Sequence, residues 1–133
     1  MPLLGPSCRN RGSRRAEAET RGFAAEAVRH GVPVHRLRTP GGESSEDVQA
    51  RYVGLWGKVC SGVRQPTLLV GHGGGVACLL LWLTGSGFDR YLQHVPGSAG
   101  VTCVEIGGPA PRVRPMNVSP ADLPVLLNAR TAR

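Results

Sequence analysis

One imidazole set among glycines is the feature of this 133-residue chain best suited to chemistry. His72 stands in the run Val70-Gly71-His72-Gly73-Gly74-Gly75. Its side chain can donate a hydrogen bond, accept one, or exchange a proton near neutral pH. The glycines around it let the backbone approach a ligand with no Cβ in the way. Two elements must position the ring. Thr67–Val70 is a short, β-prone apolar run ended by Gly71, which predicts a buried strand. Val76–Leu83 is apolar on every side, which predicts a buried helix. Strand, tight turn and helix in that order place His72 at the carboxyl edge of a strand, where ligands bind in open α/β sheets. The bland alternative is a histidine satisfied within a tight turn.

Other chemistries that use similar letters lack their required partners. His72-Gly73-Gly74-Gly75 matches an esterase oxyanion motif, but neither Gly85-Ser86-Gly87 nor Gly97-Ser98-Ala99-Gly100 supplies the G-x-S-x-G nucleophile turn. A dinucleotide fingerprint would need glycine or alanine where Val76 stands, and no Gly-Lys-Ser/Thr follows to make a Walker loop. The four cysteines, Cys8, Cys60, Cys78 and Cys103, are widely spread with no C-x-x-C pair, so no metal and no cofactor is expected.

Three segments together resemble the histidine phosphatase (phosphoglycerate mutase-like) superfamily. Val70-Gly71-His72-Gly73-Gly74 before an apolar helix is similar to that family's second histidine motif. Thr39-Pro40-Gly41-Gly42-Glu43-Ser44, with Asp47, Val48 and Arg51, resembles the segment that precedes it. Val95-Pro96-Gly97-Ser98-Ala99-Gly100-Val101-Thr102 looks like the turn and strand that follow it. Within the family, the tail Val113-Arg114-Pro115-Met116-Asn117 with Leu123 is most similar to the TIGAR type of fructose-2,6-bisphosphatase. The likeness covers roughly the last three quarters of the chain, the span expected of a partial domain of this length. It implies an α/β fold, a three-layer α/β/α sheet lacking its first strand, and a sugar bisphosphate as ligand.

In such enzymes one histidine accepts the phosphoryl group, while a second histidine and arginines hold its oxygens and a glutamate moves the proton. That is covalent catalysis joined to electrostatic stabilisation. The resemblance assigns His72 the second, phosphate-holding role as its catalytic residue. Gly73 is the substrate-binding position, its backbone N–H reaching the phosphate beside the helix N-terminus. The nucleophile motif is not found. Arg29-His30-Gly31 has the right letters, but it follows an alanine-rich helix and precedes Val32-Pro33, and it stands too close to Gly41 for the intervening elements. His30 is therefore expected at a helix end, beside the carboxyl-terminal dipole. Without the nucleophile the chain is expected to be inactive alone; the other reading is a non-catalytic anion-binding or interaction module.

The composition, 41% hydrophobic, is that of a globular chain. Half of the 16 basic residues lie before Pro40, so the net charge of +7 is largely an amino-terminal property. No interleaved aromatic set accompanies these arginines, which argues against nucleic-acid binding. Glu17, Glu19 and Glu26 argue against a transit peptide. No apolar run approaches a bilayer span, so neither a membrane partner nor an anchor is expected. A reducing, cytoplasmic location follows from the unpaired thiols.

Residues 1–15 are punctuated by glycine, proline and serine and are expected to be disordered, with 16–133 forming the partial domain. Ala16–Arg29 and Ser44–Cys60 are predicted helices, the first ended by Gly31 and Pro33. Ser44 and Asp47 have capping-box spacing, while Val48, Tyr52, Leu55 and Val59 recur at helical intervals. A short helical connection over Phe88–Leu92, a strand over Val101–Ile106 and an edge strand over Arg112–Met116 complete the expectation. With the first strand missing, Thr67–Val70 would expose its ladder groups and apolar faces, so marginal stability or self-association is expected.

Overall fold

The computed structural model describes residues 21–22, 25–38, 41–62, 64–114, 116–125 and 128. The chain divides into two units, residues 1–45 and 46–133. In the first, residues 25–30 form helix α1, which places Ala27 in the interior and ends at His30. Gly31 takes a left-handed φ of 64°, a conformation that costs glycine little, and stops the helix as expected. A single 3₁₀ turn, Val34–Arg36, follows. The expected disorder of residues 1–15, the start of the Ala16–Arg29 helix, and Phe23 and Ala24 lie outside the described residues.

The second unit is built on helix α3. Helix α2, Ser45–Gly62, begins immediately after the buried Ser44 and runs two residues past the predicted end. Helix α3 spans Gly73–Thr84 and starts three residues earlier than its apolar run. Its Gly75, Ala77, Cys78, Leu80 and Leu81 are buried, because neighbours pack on more than one side. Burying a leucine such as Leu81 contributes about 1.5–3 kcal/mol. Gly85 closes the helix in a left-handed conformation (φ 65°). Its N–H donates to Trp82, while that of Ser86 donates to Leu81, at 3.2 and 2.8 Å. These two bonds satisfy carbonyls that the helix end would otherwise leave open.

A 3₁₀ turn, Phe88–Arg90, leads into the one-turn helix α4, Tyr91–His94, which packs on α3. Buried His94 faces the Arg90 carbonyl through Nδ1 at 3.0 Å and Thr84 Oγ1 through Nε2 at 3.3 Å. A carbonyl can only accept, so Nδ1 carries a proton, and the Thr84 hydroxyl, which donates to the Leu80 carbonyl at 2.8 Å, lies within hydrogen-bond distance of Nε2.

Strands β1 (Val104–Glu105) and β2 (Arg112–Val113) form an antiparallel pair, with Val104 opposite Val113 and Glu105 opposite Arg112. The ladder continues through the N–H of Arg114 to the carbonyl of Cys103 and resumes as an isolated bridge between Val101 and Val118. Between those points Asn117 adopts a φ of 52° and donates its N–H to Thr102 Oγ1 at 3.0 Å, which interrupts regular pairing. The predicted strands thus shorten to two residues each. After Ser119, whose carbonyl accepts from Asp122 and Leu123, residues 123–125 are helical.

The largest departure concerns Thr67–Val70. The segment is neither a strand nor buried: Leu68 is 79% exposed and Val70 90%. A β-prone sequence becomes a strand only against a neighbour, and its backbone makes no ladder bond among the described residues. Helices with one small antiparallel sheet make an α/β composition, and the described residues contain no larger parallel sheet.

Candidate functional site

His72 caps the amino end of α3 with extended backbone angles (φ −77°, ψ 144°). Its carbonyl accepts the N–H of Val76 at 3.0 Å, the first bond of the helix. The N–H groups of Gly73, Gly74 and Gly75 therefore have no intrahelical acceptor, and the positive end of the helix dipole lies among them. The imidazole is exposed and makes no capping hydrogen bond.

Each glycine in this turn answers to a specific neighbour. A Cβ on Gly73 would meet Pro96 at an ordinary 3.8 Å, whereas one on Gly74 would come within 3.0 Å of the Tyr91 hydroxyl. A Cβ on Gly75 would overlap the ring of Tyr52. Tyr52 also holds its hydroxyl 3.4 Å from the Cβ position of Gly71, so one ring from α2 abuts both sides of the histidine turn. A second tie between the helices runs from Gln49 Nε2 to the Cys78 carbonyl at 2.9 Å. Periodicity marks Tyr52 as a packing residue; its place against the turn depends on a contact more than twenty residues distant and leaves no local signal.

The loop facing Gly73 is also fixed from far along the chain. Asn117 Oδ1 accepts the N–H of Gly97 at 2.8 Å, and the N–H of Gly100 donates to the Gly97 carbonyl at 2.9 Å. A Cβ on Gly100 would strike Asn117 Oδ1, so the clamp requires glycine there. Ala99, within this turn, is held at a φ of 57°.

His72 and Gly73 open together onto a hollow of about 1240 Å³. Its walls come from Trp56 and Val59 of α2, Leu79 and Leu83 of α3, the Thr67–Val70 segment and the loops around Gly97 and Gly108. Among the described residues Arg64 is the only formally charged one on this lining, and most of the wall is apolar, with Gln65, Thr67, His72, Ser98 and Thr102 as its other polar side chains. The other histidine of this unit, His94, is buried and committed to Arg90 and Thr84. His30 ends α1, in the other unit. Beneath the turn, burial pushes the Cys78 thiol up. Burial, and secondarily the neighbouring Cys78, pushes the Tyr91 phenol up. Both therefore stay protonated and neutral at ordinary pH.

An exposed imidazole at the start of a twelve-residue helix, beside first-turn amides with no intrahelical acceptor, is a geometry suited to an oxyanion, with neutral side chains behind it. The family model of the histidine phosphatase superfamily (branch 1) matches residues 12–119. The chain belongs to the histidine phosphatase superfamily. The match reaches further toward the amino end than the last three quarters of the chain. No curated protein and no solved structure matches this histidine phosphatase chain. Among its described residues, no group of three or more His, Cys, Asp or Glu could hold a metal ion. No described helix is long and apolar enough to cross a membrane.

Proposed function

We propose that this chain binds the phosphoryl group of a sugar bisphosphate at His72 and the first turn of α3. The observation that carries the reading is that His72 and Gly73 line one hollow, at a helix end whose first amides lack an intrahelical acceptor. Phosphate oxygens would accept from Gly73 and Gly74 while the imidazole donates to a third oxygen. Arg64, on the same lining, supplies a cation for a second phosphate.

The TIGAR-like tail, ending in Met116-Asn117, supports fructose 2,6-bisphosphate as the ligand class and a cytoplasmic role in regulating glycolysis. The reading includes a three-layer α/β/α arrangement. It assigns the chain no turnover of its own, since covalent phosphoryl transfer needs a second imidazole facing the first across the phosphate. His94, the other histidine of this unit, is committed elsewhere. A second reading, a non-catalytic anion-binding or interaction module, is favoured by the apolar lining that surrounds the polar turn.

Two measurements on the purified chain separate these. Inorganic phosphate and fructose 2,6-bisphosphate are each expected to raise the melting temperature, with the effect abolished in His72→Ala. Incubation with phosphate-labelled fructose 2,6-bisphosphate is expected to leave no label on the protein. A labelled phosphoenzyme would overturn the assignment of no turnover, and absence of stabilisation by either ligand would overturn the site.

A further inference from the structure

We infer that Asn117 is a positioning residue of the anion site: its carboxamide fixes the loop that walls the Gly73 amide, and so tightens phosphate binding without touching the phosphate. The inference rests on the oxyanion reading of the His72 turn. Asn117 lies 20 residues from Gly97 in the chain, yet its Oδ1 accepts the Gly97 N–H at 2.8 Å. That N–H and the Pro96 carbonyl belong to one planar trans peptide and point in opposite directions. Holding the N–H toward Asn117 therefore turns the carbonyl the other way. The carbonyl oxygen, Cγ and Cδ of Pro96 are the nearest atoms to the Cβ position of Gly73, each at 3.8 Å. Asn117 thus sets which face of the loop stands against the first residue of α3.

The carboxamide is itself aimed by backbone ties. Val101 and Val118 exchange two bonds of 2.8 Å, and the Asn117 N–H, next along, donates to Thr102 Oγ1 at 3.0 Å. Asparagine tolerates its left-handed φ of 52° here. At the far end, the side-chain oxygen occupies the room that Gly100 leaves, since a Cβ there would strike it. The Gly100 N–H closes the turn on the Gly97 carbonyl at 2.9 Å. Without the side chain, the two glycines would give this loop many backbone states, and a ligand would have to freeze one of them. With it, Gly73 is already half-buried, while Gly71 and His72 before it are exposed. An amide walled in this way bonds a phosphate oxygen more strongly than one in open water.

The test is a titration of the full, isotopically labelled chain with inorganic phosphate, read at the Gly73 and Gly74 amides. Hydrogen exchange at the Gly97 amide is followed without phosphate and at the highest concentration used. Asn117→Gly removes the side chain at a φ that suits glycine, and Gly100→Ala expels it from the other side. Each is expected to weaken phosphate binding about fivefold, the scale of one hydrogen bond. Because coupling is reciprocal, phosphate should slow exchange at the Gly97 amide of the unaltered chain by a similar factor. A tie that merely stabilises the fold would lower the melting temperature and move neither reading. Far-UV circular dichroism checks that the helices persist; should Gly100→Ala not fold, Asn117→Gly decides alone. Unchanged affinity in a folded variant, or exchange at Gly97 indifferent to bound phosphate, would overturn the inference and leave the oxyanion site standing. An unaltered chain that binds no phosphate would overturn both.

Discussion

Gly75→Ala is the substitution that most sharply separates this packing from an ordinary helix. A glycine inside a helix is about 1 kcal/mol worse than alanine, and its replacement where space allows stabilises a protein by about 0.4–1 kcal/mol. Gly75 is buried, however, and the added methyl would fall within the Tyr52 ring, not beside it. Relief requires that ring to move, and with it the contact that ties α2 to the histidine turn. Overpacking of this kind costs about 1–3 kcal/mol. Set against the conformational gain, a net destabilisation of about 1–2 kcal/mol is expected. Urea denaturation followed by circular dichroism would measure it, with Gly73→Ala as the control, since that Cβ meets only Pro96 at 3.8 Å. A double-mutant cycle with Tyr52→Ala isolates the cause: once the ring is gone, Gly75→Ala should cost nothing or stabilise. If Gly75→Ala stabilises the otherwise unaltered chain, or costs the same with and without Tyr52, the placement of that ring is refuted.

Two further outcomes follow from the same geometry. Ala99 holds a left-handed φ of 57° in an exposed turn, so Ala99→Gly should relieve strain and raise stability by about 0.5–1 kcal/mol by the same denaturation assay; a loss would contradict the turn. Cys78 and Tyr91 both hold their protons more tightly in the folded chain than in the unfolded one. Their contribution is present in full below about pH 8.5, where an unfolded thiol begins to ionise, and is lost as pH climbs toward the raised folded values. The melting temperature should therefore fall above that point, and less steeply in Cys78→Ala; a rise across the window would contradict the burial.

How far the sequence spoke for the fold depended on how local each cause was. The ends of α1 and α3 were legible because a glycine beyond each had to be left-handed, and α2 because its apolar residues repeat at helical spacing. Thr67–Val70 was misread as a buried strand, since composition marks a segment as suited to a sheet without supplying the sheet. Val101–Ile106 contracted to two residues plus a bridge because Asn117, far along the chain, turns left-handed and breaks the ladder. At the site, His72 and Gly73 could be picked out by their glycine setting. Tyr52, Tyr91 and Asn117 could not, because each acts through a contact made only when the chain folds back on itself.

The central claim is that the turn from His72 to Gly75 is an oxyanion site. A titration of the isotopically labelled chain with inorganic phosphate, read by amide and imidazole nuclear magnetic resonance, tests it most directly. Saturable shifts at the N–H groups of Gly73 and Gly74 and at the His72 ring, lost in His72→Ala, are the predicted result. Resonances of the turn that ignore phosphate, or that shift equally when the imidazole is removed, would contradict it.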